Sequence, residues 1–173
     1  MKIQTYQILI ALVICVSLGG CKGKINDIIS PVSDNGSIST KVDGSSWSGA
    51  YCYGLASGSA GKVTVVISGS ASAKTVTGED KITITLTSYT GKGDYNITGK
   101  AFGAVNLVYK GSEYIYDFGT GTEPVITVTE SSSPESILKP GKIVGEFSGT
   151  LTNKKAGKSI NVTSGKFTCK WAL

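Results

Sequence analysis

The residues of this chain best suited to chemistry lie in one stretch, Glu113-Tyr114-Ile115-Tyr116-Asp117-Phe118-Gly119-Thr120-Gly121-Thr122-Glu123. Tyr114 and Tyr116 offer aromatic faces for stacking on a sugar ring, and the carboxylates of Glu113 and Asp117 can accept its hydroxyl hydrogen bonds. The same alternation also describes an ordinary strand that buries Tyr114, Tyr116 and Phe118 and leaves Asp117 in water. Glu113 and Glu123 make a conceivable glycosidase pair, but such a pair works only at a defined separation, which spacing along the chain does not set. Gly119-Thr120-Gly121 is a glycine turn, with no helix behind it to present N–H groups to a phosphate. Asp34-Asn35-Gly36 and Gly78-Glu79-Asp80 lack the ligand periodicity of a calcium loop and read as solvated turns. Histidine is absent from the chain. That removes the commonest general base, the commonest zinc ligand and any Ser-His-Asp arrangement. The expectation is a body with no catalytic residues, no metal and no cofactor.

Cysteine carries the other chemistry. Leu18-Gly19-Gly20-Cys21 closes the apolar run Ile8–Leu18, and Lys2 is the one cation ahead of it. About ten apolar residues suit a signal-peptide core and fall short of the roughly 20 that a spanning helix needs. The closing tetrapeptide resembles a lipobox, in which the cysteine thiol takes a diacylglyceryl group and the chain is cut before it. Cleavage there leaves 153 residues (173 − 20). Two or three acyl chains on Cys21 anchor a protein stably, since each buried methylene adds ~0.8 kcal/mol and one chain alone is marginal. Residues 1–20 therefore read as a leader and 21–37 as the lipidated cysteine with a flexible tether reaching roughly 20–25 Å. Residues 38–173 read as one domain.

Two cysteines remain, Cys52 and Cys169. In an oxidising compartment two thiols tend to pair, and closing a loop of this length would stabilise by up to about 4–5 kcal/mol. Cys169 alternates in phase with Phe167 and Trp171 and so faces the core. Cys52 is out of phase with Trp47, Tyr51 and Tyr53, unless a bulge near Gly49 reconciles them. A disulfide and two separate buried thiols both remain open.

Without its leader the chain carries 16 Lys against 12 Asp plus Glu, a balance of +4, and no arginine. Nucleic-acid readers depend on arginine for bidentate contacts, so a nucleic-acid partner is not expected. Scattered lysines instead keep strand edges soluble.

The elements that must position these groups are strands. Ile38–Val42 runs into Asp43-Gly44, a hairpin signal, and Trp47–Leu55 returns with Trp47, Tyr51, Tyr53 and Leu55 on one parity. Ile82, Ile84 and Leu86 alternate with Thr83, Thr85 and Thr87, the cleanest two-residue period. Further runs are Val63–Ser68, Gly93–Ile97, Ala104–Lys110, Tyr114–Phe118, Val125–Thr129 and Ile143–Leu151. Ile160 and Val162 are even-numbered whereas Phe167, Cys169 and Trp171 are odd, so a bulge or tight turn is predicted at Ser164-Gly165. Ser133–Leu138 fits a single helical turn within the long connection Ser131–Lys142. About ten short strands predict an all-β fold, an antiparallel meander closed as a two-layer sandwich, with a flattened up-and-down barrel as the alternative. Trp47 and Trp171 suggest that the first and last strands share one core.

Lys41-Val42-Asp43-Gly44-Ser45-Ser46-Trp47, Gly91–Ile97, Gly145–Leu151 and Ser164-Gly165-Lys166-Phe167 together resemble small uncharacterised Bacteroidetes lipoproteins with a β-rich domain, over roughly residues 38–173. The resemblance implies an outer-membrane lipoprotein and carries no activity. Lys22-Gly23-Lys24-Ile25-Asn26-Asp27 lacks the acidic run common after the lipid cysteine of surface-exposed members, which favours the periplasmic face. The sequence thus predicts a membrane-tethered, non-enzymatic binding or accessory module whose partner is a protein or a glycan. A small-ligand or glycan-binding barrel is the alternative, and a glycan hydrolase the weakest reading.

Overall fold

The computed structural model describes residues 36–58, 63–71, 79–99, 101–117, 120–135 and 139–172. The leader, Cys21 and the tether as far as residue 35 lie outside them, as do Phe118, Gly119 and the Ser136–Leu138 part of the expected helical turn; Ser37, expected in the tether, already belongs to the first strand. The described residues are all-β. Eleven strands follow in order: β1 Ser37–Val42, β2 Ser45–Gly49, β3 Tyr51–Ser57, β4 Thr64–Ser70, β5 Lys81–Thr87, β6 Gly93–Asn96, β7 Phe102–Tyr109, β8 Ser112–Ile115, β9 Val125–Ser131, β10 Gly141–Asn153 and β11 Lys158–Ala172.

Local chemistry explains where the chain reverses. Asp43 and Gly44 take φ of +47° and +82°, and Lys110 and Gly111 take +50° and +73°. Both pairs form two-residue turns with left-handed backbone at each centre, which matches the twist of the flanking strands. They join β1 to β2 and β7 to β8. Between the two long strands, β10 and β11, the four residues 154–157 make the reversal.

The pairing order is not a meander. One mixed sheet runs β2-β1-β11-β3-β4-β5-β7-β6-β9-β10-β8, and β10 pairs with β11 again, so the ladder returns on itself. The last strand organises it. One edge of β11 pairs with β10 along most of its length. The other edge is shared: β1 takes residues 162–168, and β3 takes Lys170–Ala172 in parallel register. Short consecutive strands led the sequence to an antiparallel chain of neighbours. The parallel β3–β11 link and a single parallel pair between Asn96 and Phe102 correct it. The cause is length, since a strand as long as β11 exceeds any one partner and its spare edge recruits others.

The bulge predicted from the phase change is present. Ser164 has φ +53°, and the registers of β11 with both β1 and β10 slip beside it. Gly165 then lies so close to the Phe147 carbonyl and ring that no Cβ fits.

Inner faces merge into one core. Ile67, Ile82, Ile84, Leu86 and Leu107 from β4, β5 and β7 meet Ile126, Ile143, Leu151 and Phe167 from β9, β10 and β11, all essentially sealed from water. Ile38 of β1 reaches across to Gly69 of β4, where its methyl occupies the space a side chain would need.

The segment Trp47–Leu55 corrects the expected parity. It is two strands broken at Ala50, β2 on the β1 edge and β3 between β11 and β4. Across the break the phase inverts: Cys52 and Gly54 point inward, while Tyr53 and Leu55 are 40% and 58% exposed. Cys52 and Cys169 are joined in a disulfide, with Cα atoms 5.3 Å apart. Trp171 is buried, with its indole N–H donating to the Ser132 carbonyl at 2.9 Å, whereas Trp47 only packs against the rim of the core. Trp171→Ala should therefore cost about 3–5 kcal/mol and Trp47→Ala clearly less. Urea unfolding of both variants checks this; equal losses would contradict the assignment.

Candidate functional site

The acid and aromatic residues singled out by sequence are placed but not gathered into a cleft. Tyr114 and Tyr116 are partly buried and pack against the core. Tyr114 stands opposite Leu107, on the inner side of β8. Glu113 faces outward and accepts a hydrogen bond from the Asn106 amide at 2.7 Å. Asp117 pairs with Lys154 at 2.8 Å. Glu123 is engaged elsewhere, accepting the Thr98 N–H at 3.0 Å and its hydroxyl at 2.9 Å. β8 ends at Ile115, so the aromatic alternation does not continue as a strand through Tyr116. Among the described residues no group of three or more His, Cys, Asp or Glu side chains could hold a metal ion.

Two surfaces stand out instead. The first is a shallow depression of about 360 Å³ lined by Lys92, Glu130, Ser131, Ser132 and Lys142. An aromatic cap of the core is hydrogen-bonded to two of these lining residues, Ser131 and Ser132. The Tyr89 ring stacks on Tyr95 with centroids 5.7 Å apart and meets Trp171 edge-on at 5.6 Å. Each polar tip in the cap has a partner. Tyr89 Oη donates to Ser131 Oγ at 2.7 Å, and Tyr95 Oη donates to the Gly91 carbonyl at 2.8 Å. At the rim, Lys142 donates its backbone N–H to Ser132 Oγ and its ammonium to Glu130, each at 2.8 Å. That hydrogen bond, with the Lys142 charge, holds the Glu130 carboxyl below its ordinary range, and the charge of Lys92 adds to the effect. Burial pushes the Tyr89 phenol above its usual value of 10.0, despite the opposing Ser131 bond. The polar atoms of the cap are thus satisfied within the protein.

The second surface is the outer face of β3, β4, β5 and β7. Register places Tyr53, Ser68, Thr83 and Asn106 in one cross-strand row. Leu55, Val66, Thr85 and Ala104 form the next. Phe102, 37% exposed, stands at the margin opposite Thr87. Lys81 at one corner is the charged position on these four strands. The outer face of β9, β10 and β11 differs, being laced by the Lys142–Glu130 and Lys166–Glu146 pairs.

Sequence reasoning missed both surfaces for definable reasons. The Thr83-Thr85-Thr87 alternation marked a wet face. What flanks it depends on strand order, and the inverted parity of β3 hid Tyr53 and Leu55. The aromatic cap joins Tyr89 to Ser131 and Trp171, whose separation along the chain leaves no local signature.

No family model, curated protein or solved structure matches the chain.

Folding holds the Tyr89 phenolic proton more tightly than the unfolded chain does. Its stabilisation is complete below pH 10.0 and is lost as pH rises through the higher folded value. Tyr89→Phe should therefore lose less stability than the parent chain above pH 10, measured by urea unfolding across pH 8–11. Identical alkaline losses would contradict the burial of this phenol.

Proposed function

We propose that the protein is a lipid-anchored cell-envelope module that binds a partner and is not an enzyme. On this reading it is an outer-membrane lipoprotein held through Cys21, of the kind its sequence resembles in the Bacteroidetes, with the periplasmic face favoured. The observation that carries the binding role is the asymmetry of its two outer faces. One is ion-paired and scattered with lysine, as a solvated surface is. The other presents Tyr53, Leu55, Val66 and Phe102 among hydroxyl and amide side chains, with Lys81 the charged position on its strands and the Glu113 carboxylate bonded to Asn106 at its margin. Exposed apolar side chains that cluster on a surface commonly mark an interaction site, and Tyr53, Leu55 and Val66 are neighbours here. The Cys52–Cys169 disulfide supports export, because such bonds persist in oxidising compartments.

A glycan partner is a second reading, favoured by the row Tyr53–Ser68–Thr83–Asn106. It combines an aromatic ring with hydroxyl and amide groups that both donate and accept hydrogen bonds. A polyanion fits this face poorly, since it offers almost no countercharge.

The test compares the two faces in cells. A photo-crosslinking residue at Leu55 should form a discrete adduct, and the same residue at Lys166 should form none. In parallel, Cys21→Ala should abolish fatty-acid labelling and release the chain from membranes. Adducts from neither position, or equally from both, would contradict the binding face, and labelling that survives Cys21→Ala would contradict the anchor.

A further inference from the structure

The ladder narrows at the parallel β6–β7 and β3–β11 junctions, and the disulfide sits on the second. β3 and β11 pair through Tyr53–Leu55 against Lys170–Ala172, in parallel register, whereas β3 pairs with β4 along its whole length. Cys52 and Cys169 lie at the near end of this contact, 3% and 1% exposed. A third segment arrives at the same point. Gly36, the residue that leads into β1, lies against the carbonyl oxygens of Thr168 and Cys52 and against Cys169 Cα, with no room for a side chain. The bond therefore stands where the entering chain, the third strand and the last strand converge, and it spans 117 residues.

We propose that the Cys52–Cys169 bond is a clasp that closes the domain only after export, so that the reduced chain keeps an open seam at β3, β11 and the entry to β1. The inference rests on the export reading for its setting, and on the seam for its physics. Three parallel pairs alone hold an edge weakly, so local opening there costs far less than global unfolding. Closure is thiol–disulfide exchange with a disulfide-bearing oxidant. One cysteine thiolate attacks a sulfur of the oxidant and forms a mixed disulfide, releasing the first oxidant thiol. The second cysteine thiolate then attacks the protein sulfur of that mixed disulfide and releases the other. Two electrons pass to the oxidant, and the protons lost by the cysteines end on its thiols. Because both sulfurs are buried in the closed form, exchange must precede final packing of the seam, and the finished bond is shielded from soluble thiols.

Hydrogen exchange on the full chain tests this, oxidised against a Cys52→Ser/Cys169→Ser pair. Peptides from residues 36–42, 51–57 and 168–172 should exchange about tenfold faster or more in the variant, while those from 81–87 and 125–131 change less than about twofold. Equal exchange everywhere, or acceleration spread over all strands, would overturn the clasp. A second measurement avoids substitution: the unfolded parent chain is refolded with and without oxidised glutathione. Protease resistance of the seam should return only with the oxidant, and its return in a thiol buffer would overturn the proposal. Alkylation of the chain in cells separates the two readings. Free thiols in a membrane-released, unlabelled form would sink export, yet leave the refolding result standing.

Discussion

Everything in this fold hangs on how the edges of β11 are used. A strand has two edges, and this one spends the first on β10 and divides the second between β1 and β3. Without that division the β1–β2 hairpin would have no sheet to join and β3 would be an unprotected edge, open to pairing with other chains. The Ser164 bulge makes the division workable. It inserts one residue, bends the strand, and shifts Phe167, Cys169 and Trp171 onto the parity that faces the core.

From that constraint the remaining features follow. Inward side chains from both halves of the ladder pack as one cluster, with Tyr95 and Phe167 among the largest fully buried residues. Trp171, at the end of β11, completes the core and anchors the aromatic cap through Tyr89 and Ser132. These side chains fill the interior, and the recognition proposed above falls to the outer surface. There β3, β4, β5 and β7 offer a platform whose charged position is Lys81, and the outer side of β9, β10 and β11 offers salt bridges.

Much of this was legible in the residues. The clean alternation of Ile82–Thr87 and of Ile143–Leu151 specifies strands with one buried side, and the Ser164-Gly165 phase change specifies a bulge. Asp43-Gly44 specifies its hairpin. Strand neighbours were not legible, because a two-residue period states which face is buried and says nothing about which strand lies alongside. The same limit explains Tyr53 and Leu55. Their parity matches that of Trp47, and only the break at Ala50 and the change of partner from β1 to β4 turn them outward. Glu113, Tyr114, Tyr116 and Asp117 show the complementary case. Residues adjacent in sequence alternate between core and solvent, so proximity along a strand did not make a cleft.

The most direct test of the central role of β11 is amide exchange by NMR on the oxidised parent protein. Amides of Val162 and Lys166–Thr168, flanked by partners on both sides, should be among the slowest to exchange in the domain. If they exchange as fast as the edge strand β2, while β4 and β5 remain protected, the last strand is not what holds this body together.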